Sequence, residues 1–299
     1  MSLRTYLEPK GLVLTLPEAS SASSKARRWC ASFVGAVAWF TSHPNDAKYV
    51  WRGHASTEWV LQPRLHRHVA RHLAKSDRGA VTAEEEKILG YARHNGWDYL
   101  EGRQRSHLEV LAILQHHGVP TRLLDVTRDP LVSMYFATEP ALDGEGNEAD
   151  GGLIAIRDPG ATVDPDGKTF HPNGAPYAVW NAPPIDLRIT SQRGEFVVSN
   201  TTLPKPAAGS DPLDATAPIG IGLTDPRGAF TGAGLDAYFR SYLDPTKPGR
   251  PPKEAVNLAM MVIPAKMRKP LREFLEASGL TAPRIYPDLA GYASSFPSA

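Results

Sequence analysis

The chain has 299 residues, 41% apolar and 22% charged, which suits a globular protein of one large domain or two small ones. Its net charge of +1 provides no broad field for a polyanion or a membrane surface, so such contacts would need a local patch. The single cysteine, Cys30, excludes an internal disulfide framework and a cysteine-built zinc site, and it suits a reducing cytoplasm. No apolar run reaches the roughly 20 residues that span a bilayer, and the N-terminus lacks the layout of a secretory signal.

Residues 1–24 read as an arm with a strand over Gly11–Leu16. Ser23 or Ser24 can cap a following helix, on which Trp29, Phe33, Val37 and Phe40 recur as one apolar stripe until Ser42–Asn45 breaks it. Lys48–Arg52 is short, aromatic and β-branched, which predicts a strand ending at Gly53. The segment 62–75 reads as a basic helix carrying Arg64, His66, Arg67, His68, Arg71 and His72. His68 and His72 could share a metal on one helical face, but no thiol or carboxylate nearby completes a ligand set, and no metal is expected. That helix is then a solvated face or a patch for phosphate or nucleic acid. Thr82–Glu85 has capping-box spacing and predicts a helix from there to His94; Ser106–Glu109 repeats the spacing before Val110–Leu114. Capping accounts for Glu109, which would otherwise be a tempting catalytic acid.

The stretch Gln115–Ala137 organises the middle of the chain. Gly118 suits a left-handed helix end, Pro120 blocks continuation, and Asp129 with Pro130 restarts a helix. Between them lies an expected turn carrying Thr121, Arg122 and Asp125, whose plainest reading is an Arg122–Asp125 ion pair. Gly152–Ile156 reads as a strand. Gly160 to Pro252 is dense in Pro and Gly, with short strands expected at Tyr177–Trp180, Ile185–Ile189 and Glu195–Val198 and a loop-rich insertion around 201–252. A buried strand over Val256–Ile263 and a helix over Ala265–Ser278, stopped by Gly279, close the pattern. Helices and one strand come first, then mostly strands. This predicts an α+β fold with a mainly antiparallel sheet and helices packed on it, as a single domain over 25–299.

Three blocks carry a resemblance: Tyr49-Val-Trp-Arg-Gly-His54 continuing to Arg64; His117-Gly-Val-Pro-Thr-Arg-Leu-Leu-Asp125 with Asp129-Pro130 and Tyr135-Phe-Ala137; and Tyr286-Pro-Asp-Leu-Ala-Gly291. Together they resemble the FRG domain family, with Trp51 where the family name has Phe. The P-loop, the Rossmann glycine pattern, His-Glu-x-x-His and Gly-x-Ser-x-Gly are all missing from the sequence.

The order of polar elements looks like the ADP-ribosyltransferase plan. That resemblance implies a strand Arg-Gly gripping NAD, a Ser/Thr strand entering an apolar helix, and a Glu on a later strand. By position Arg52 and Gly53, then Thr121, then Glu195 fill these places, with Asp125 and Asp288 as further carboxylate candidates. His54, Arg122, Gln192 and a stacking Tyr135 complete the implied NAD contacts. The implied function is an NAD-consuming ADP-ribosyltransferase or NAD glycohydrolase of bacterial toxin or defence type. It would work in the cytoplasm, with NAD as substrate and an acceptor the sequence does not name. The alternatives are a non-catalytic nucleotide- or phosphate-binding module using Arg52 and Arg122, or an interaction domain using the basic 62–75 segment.

Overall fold

Two runs of apolar residues too short for helices become central strands, β6 (Gly151–Arg157) and β11 (Leu258–Ile263) in chain order. The computed structural model describes residues 13–15, 37, 48–59, 61–72, 78–172, 175, 177–199 and 258–288. The remaining strands are β1 (Val13–Thr15), β2 (Tyr49–His54), β3 (Tyr99–Leu100), β4 (Arg103–Gln104), β5 (Leu123–Thr127), β7 (Thr162–Val163), β8 (Phe170–His171), β9 (Tyr177–Trp180) and β10 (Gly194–Ser199). The helices are α1 (Arg64–His72), α2 (Arg78–His94), α3 (His107–His116), α4 (Pro130–Ala137), α5 (Leu187–Ser191), α6 (Ala265–Ala277) and α7 (Ala282–Ile285). They gather in two compact units. One draws on Met1–Val60, Thr127–Asp158 and Leu223–Ala299, the other on Leu61–Val126 and Pro159–Gly222. Each unit is discontinuous in sequence, so no linker composition announces it.

In the first unit the strands run in the order β1-β11-β6-β2. β6 pairs antiparallel with both β11 and β2, while β1 pairs parallel with β11. β6 is buried along almost its whole length, which explains its unbroken apolar sequence. Helix α4 lies tightly on these strands. A Cβ added at Gly53 would collide with the Ser133 carbonyl oxygen and sit 2.6 Å from the Ala137 amide nitrogen; one at Gly151 would strike the Ala137 carbonyl. Glycine at both positions lets helix backbone approach strand backbone. Trp51, Val132, Tyr135, Leu153, Met261, Leu271 and Ile285 are among the residues of the resulting core. The loop from α4 to β6 is tied down by buried Arg268, whose Nη1 donates to the Ala149 carbonyl at 2.6 Å, and by Asp150, whose Oδ1 accepts from Ala265 N at 2.9 Å.

In the second unit β10 lies between β5 and β9, antiparallel to β9, and β3–β4 and β7–β8 form small hairpins. Its core includes Leu89, Leu108, Leu111, Leu123, Phe170, Phe196 and Val198. Leu65, Val69 and Val81 fasten α1 to α2. The expected α+β class with mainly antiparallel pairing is what the strands show.

Several local expectations change. β5 occupies the place of the expected Thr121–Asp125 turn, with Asp125 on a strand. Helix α2 starts at Arg78, four residues before the Thr82 expected to cap it. Ile185–Ile189, read as a strand, contributes to helix α5, because the Asp186 carboxylate caps it by accepting from Arg188 N at 2.7 Å. The stripe Trp29–Phe40, apart from Val37, and the 201–252 insertion lie outside the described residues. So do Cys30 and residues 289–291 of the tail block.

Candidate functional site

Arg52 sits on β2 of the first unit, half-buried, and its Nε donates to His54 Nε2 at 3.1 Å. Strand alternation places these two side chains on one face, while Gly53 between them faces α4. The absent side chain of Gly53 thus makes room for a helix. One residue before Arg52, Trp51 pairs with Thr127, the last residue of β5 and part of the same unit. Thr127 is 5 % exposed, and its Oγ1 accepts from Asp129 N at 2.9 Å. Asp129 in turn caps α4, its Oδ1 accepting from Leu131 N at 2.9 Å, and Pro130 opens the helix. The arginine strand, the Thr127 hydroxyl and an apolar helix therefore come together within the first unit.

Tyr135, on that helix, is assigned by the sequence to stacking on a nicotinamide ring. It is 3 % exposed, and the Arg272 guanidinium lies over its ring at 3.6 Å from the centroid while Nη2 donates to the Tyr135 carbonyl at 2.8 Å. Phe136 and Tyr286 meet the same ring edge-on. Tyr286 donates to Glu139 Oε1 at 2.6 Å, and burial, with that hydrogen bond next, pushes its phenol far above the usual tyrosine range. Tyr135 is a packing residue, with one ring face taken by a cation.

The second block resolves differently. Arg122 is 1 % exposed and every guanidinium nitrogen is engaged within the second unit. Nε donates to both Glu85 oxygens at 2.9 and 2.7 Å, Nη1 to the Ser199 carbonyl at 2.9 Å, and Nη2 to the Gly167 carbonyl. The expected partner, Asp125, is an exposed strand residue that accepts from Gln115 Nε2 at 2.7 Å. Gln115 Oε1 accepts from the Thr121 hydroxyl, which itself accepts from Leu123 N at 3.3 Å. Arg122, Thr121 and Asp125 are thus held by internal partners, and the ion pair of Arg122 is with Glu85. That is also why Thr82–Glu85 forms no capping box.

The matching motif at Ser106–Glu109 does form. Ser106 Oγ accepts from Glu109 N at 3.3 Å and Glu109 Oε2 accepts from Ser106 N at 3.0 Å. The Arg103 guanidinium, hydrogen-bonded to Glu109, holds its carboxyl well below the usual range, at about 2, against the opposing effect of burial. Glu109 serves as a cap and ion-pair partner, as its spacing implies.

Glu195 is half-buried in β10 of the second unit, and Gln192 follows α5 as its half-buried C-cap. Asp288 is half-buried, in the first unit after α7. In α1 Leu65 and Val69 face inward, while Arg64 is exposed and His66, Arg67 and His68 are half-buried. The side chains of Arg71 and His72 lie outside the described residues.

Sequence reasoning passed over Thr127. A signal existed: Leu123-Leu-Asp-Val-Thr127 is apolar at alternate positions with a hydroxyl just before Asp129-Pro130, so it reads as a strand entering a helix.

An α+β protein with an arginine strand against a hydroxyl-ended strand and an apolar helix is the class these elements define. Residues 47–145 match the family model of the FRG domain, a stretch that contains the first two resemblance blocks. The chain carries an FRG domain there. No curated protein and no solved structure matches the chain.

Proposed function

We propose that the chain binds NAD through Arg52 and consumes it, as an ADP-ribosyltransferase or NAD glycohydrolase. The reading is carried by the pairing of Trp51 with Thr127, which sets the Thr127 hydroxyl and the start of α4 beside the Arg52 strand. Thr127 takes the place expected of Thr121. Arg52 supplies a forked cation for a phosphate oxygen pair, with His54 fixing its Nε. The reaction breaks the bond between ribose C1′ and the nicotinamide nitrogen. Both bonding electrons leave with nicotinamide, which departs as a neutral base. Positive charge builds on the sugar, and a carboxylate stabilises it. A water or an acceptor nucleophile then adds at C1′ and gives up its proton. The acceptor is a macromolecule or water, and the toxin or defence role belongs to this same reading.

Nicotinamide release from NAD by the purified chain, with and without cell lysate or nucleic acid, tests the reading. Release is expected from the wild type, with a loss of about 100-fold or more in Arg52→Ala. Intact turnover in that variant removes Arg52 from the mechanism. If NAD is not cleaved and does not raise the melting temperature, the non-catalytic module is the better account.

A further inference from the structure

A cavity of about 260 Å³ lies within the second unit, where the N-terminal end of α3 meets α2 and the β3–β4 hairpin. Its polar wall contains Arg93, Asp98, Gln104, His107 and Asp166. Leu89, Val110 and Pro165 form an apolar wall. The charged groups here are not paired with one another. Asp98 is half-buried, yet among the described residues its carboxylate makes no hydrogen bond or ion pair. Arg93 touches His107 Nε2 and forms no ion pair with a described residue. Asp166 spends Oδ1 on the backbone amides of Lys168 and Thr169 and forms no ion pair among the described residues. Arg105, also on the wall, is already matched by Glu101 and Glu109.

The cavity thus presents uncompensated charge of both signs beside an apolar surface. A phosphate would meet Asp98 and Asp166; a simple amine would meet Arg93. A small ligand carrying one charge of each sign answers both walls and brings no net charge. The strongest hydrogen bonds available to a carboxylate and a guanidinium are those to ionised partners. We propose that this cavity binds a free α-amino acid with an apolar side chain. Its carboxylate lies on Arg93, its ammonium on Asp98 and Asp166, and its side chain on Leu89, Val110 and Pro165. This site is independent of the NAD reading, which uses other residues.

The test is calorimetric titration of the full chain with L-leucine, with 3-methylbutylamine, with 4-methylpentanoate and with guanosine monophosphate. Leucine is expected to bind below about 1 mM, with the amine and the acid each at least about tenfold weaker. Arg93→Gln weakens leucine about tenfold and leaves the amine unchanged. Asp98→Asn weakens leucine similarly and leaves the acid unchanged. Arg93→Lys, which keeps the charge and loses the fork, falls between wild type and Arg93→Gln. Melting temperatures without ligand stay at the wild-type value in all three, which separates a lost contact from a lost fold. No heat with leucine, equal affinity for leucine and its two half-ligands, or leucine binding unmoved by both charge-removing variants would overturn the proposal. Binding of guanosine monophosphate in place of leucine would overturn it too and give the cavity to a nucleobase.

Discussion

Two arginines four residues or fewer from a glycine or a threonine look alike in the sequence, yet Arg52 and Arg122 have opposite surroundings. Arg122 is fully buried, its charge is met by Glu85, and its remaining donors go to the Gly167 and Ser199 carbonyls. Such a group ties distant parts of one unit together and has nothing left to offer a ligand. Arg52 is half-buried within β2, with one nitrogen steadied by His54 and Thr127 opposite the neighbouring Trp51. The lesson is that a fully buried guanidinium with matched partners signals architecture, and a partly exposed one on a strand is where chemistry is to be sought.

The sharpest way to break this contrast is to remove Arg122. Arg122→Ala leaves Glu85 buried without its cation and two carbonyls without donors, and it is expected to cost about 3–5 kcal/mol. A denaturant titration reads this directly, and a loss under about 1 kcal/mol would contradict the assigned role. Next in size is Gly53→Ala, expected to cost about 3 kcal/mol because the added methyl meets α4 backbone that cannot rotate away. The same titration checks it; a neutral result would mean that α4 packs less closely on β2 than the structure has it.

Glu109→Gln comes third, expected to cost about 2 kcal/mol at neutral pH. Its carboxyl titrates at about 2 in the folded chain against an ordinary 4.5, chiefly through Arg103. A depressed folded value means the contribution is fully present above the ordinary value and disappears as pH falls toward about 2. The stability gap between wild type and Glu109→Gln should therefore close across that window, as thermal melts at stepped pH would show. The smallest expected stability change is that of Arg52→Ala, under about 1 kcal/mol, since a half-buried side chain leaves no sealed cavity.

The parts of the fold legible in the sequence are those decided within a few residues. The Ser106–Glu109 box, the Asp129-Pro130 helix start and the left-handed Gly118 and Gly279 all use partners at most four positions away. The Thr82–Glu85 motif shows the limit. It has the same spacing, but Glu85 is claimed by Arg122, 37 positions away, and the helix has already begun. Pairing Arg122 with Asp125 failed for the same reason. The nearest carboxylate in sequence lies on a strand, where alternation leaves it exposed, and the true partners are 37, 45 and 77 positions off. At the candidate site Arg52 was legible as a strand residue, whereas His54, one position past the expected strand end, joins the strand in the structure. Thr127 became visible only with the register against Trp51, because pairing between strands is not written in either one alone.

The most direct test of the central claim measures nicotinamide release and melting temperature together, in wild type and Arg52→Ala. The account predicts release from the wild type and an Arg52→Ala protein that melts within a few degrees of it, about what 1 kcal/mol is worth, while releasing no nicotinamide. An Arg52→Ala protein with wild-type turnover, or one that fails to fold, would contradict it, because Arg52 would then be either idle or another Arg122.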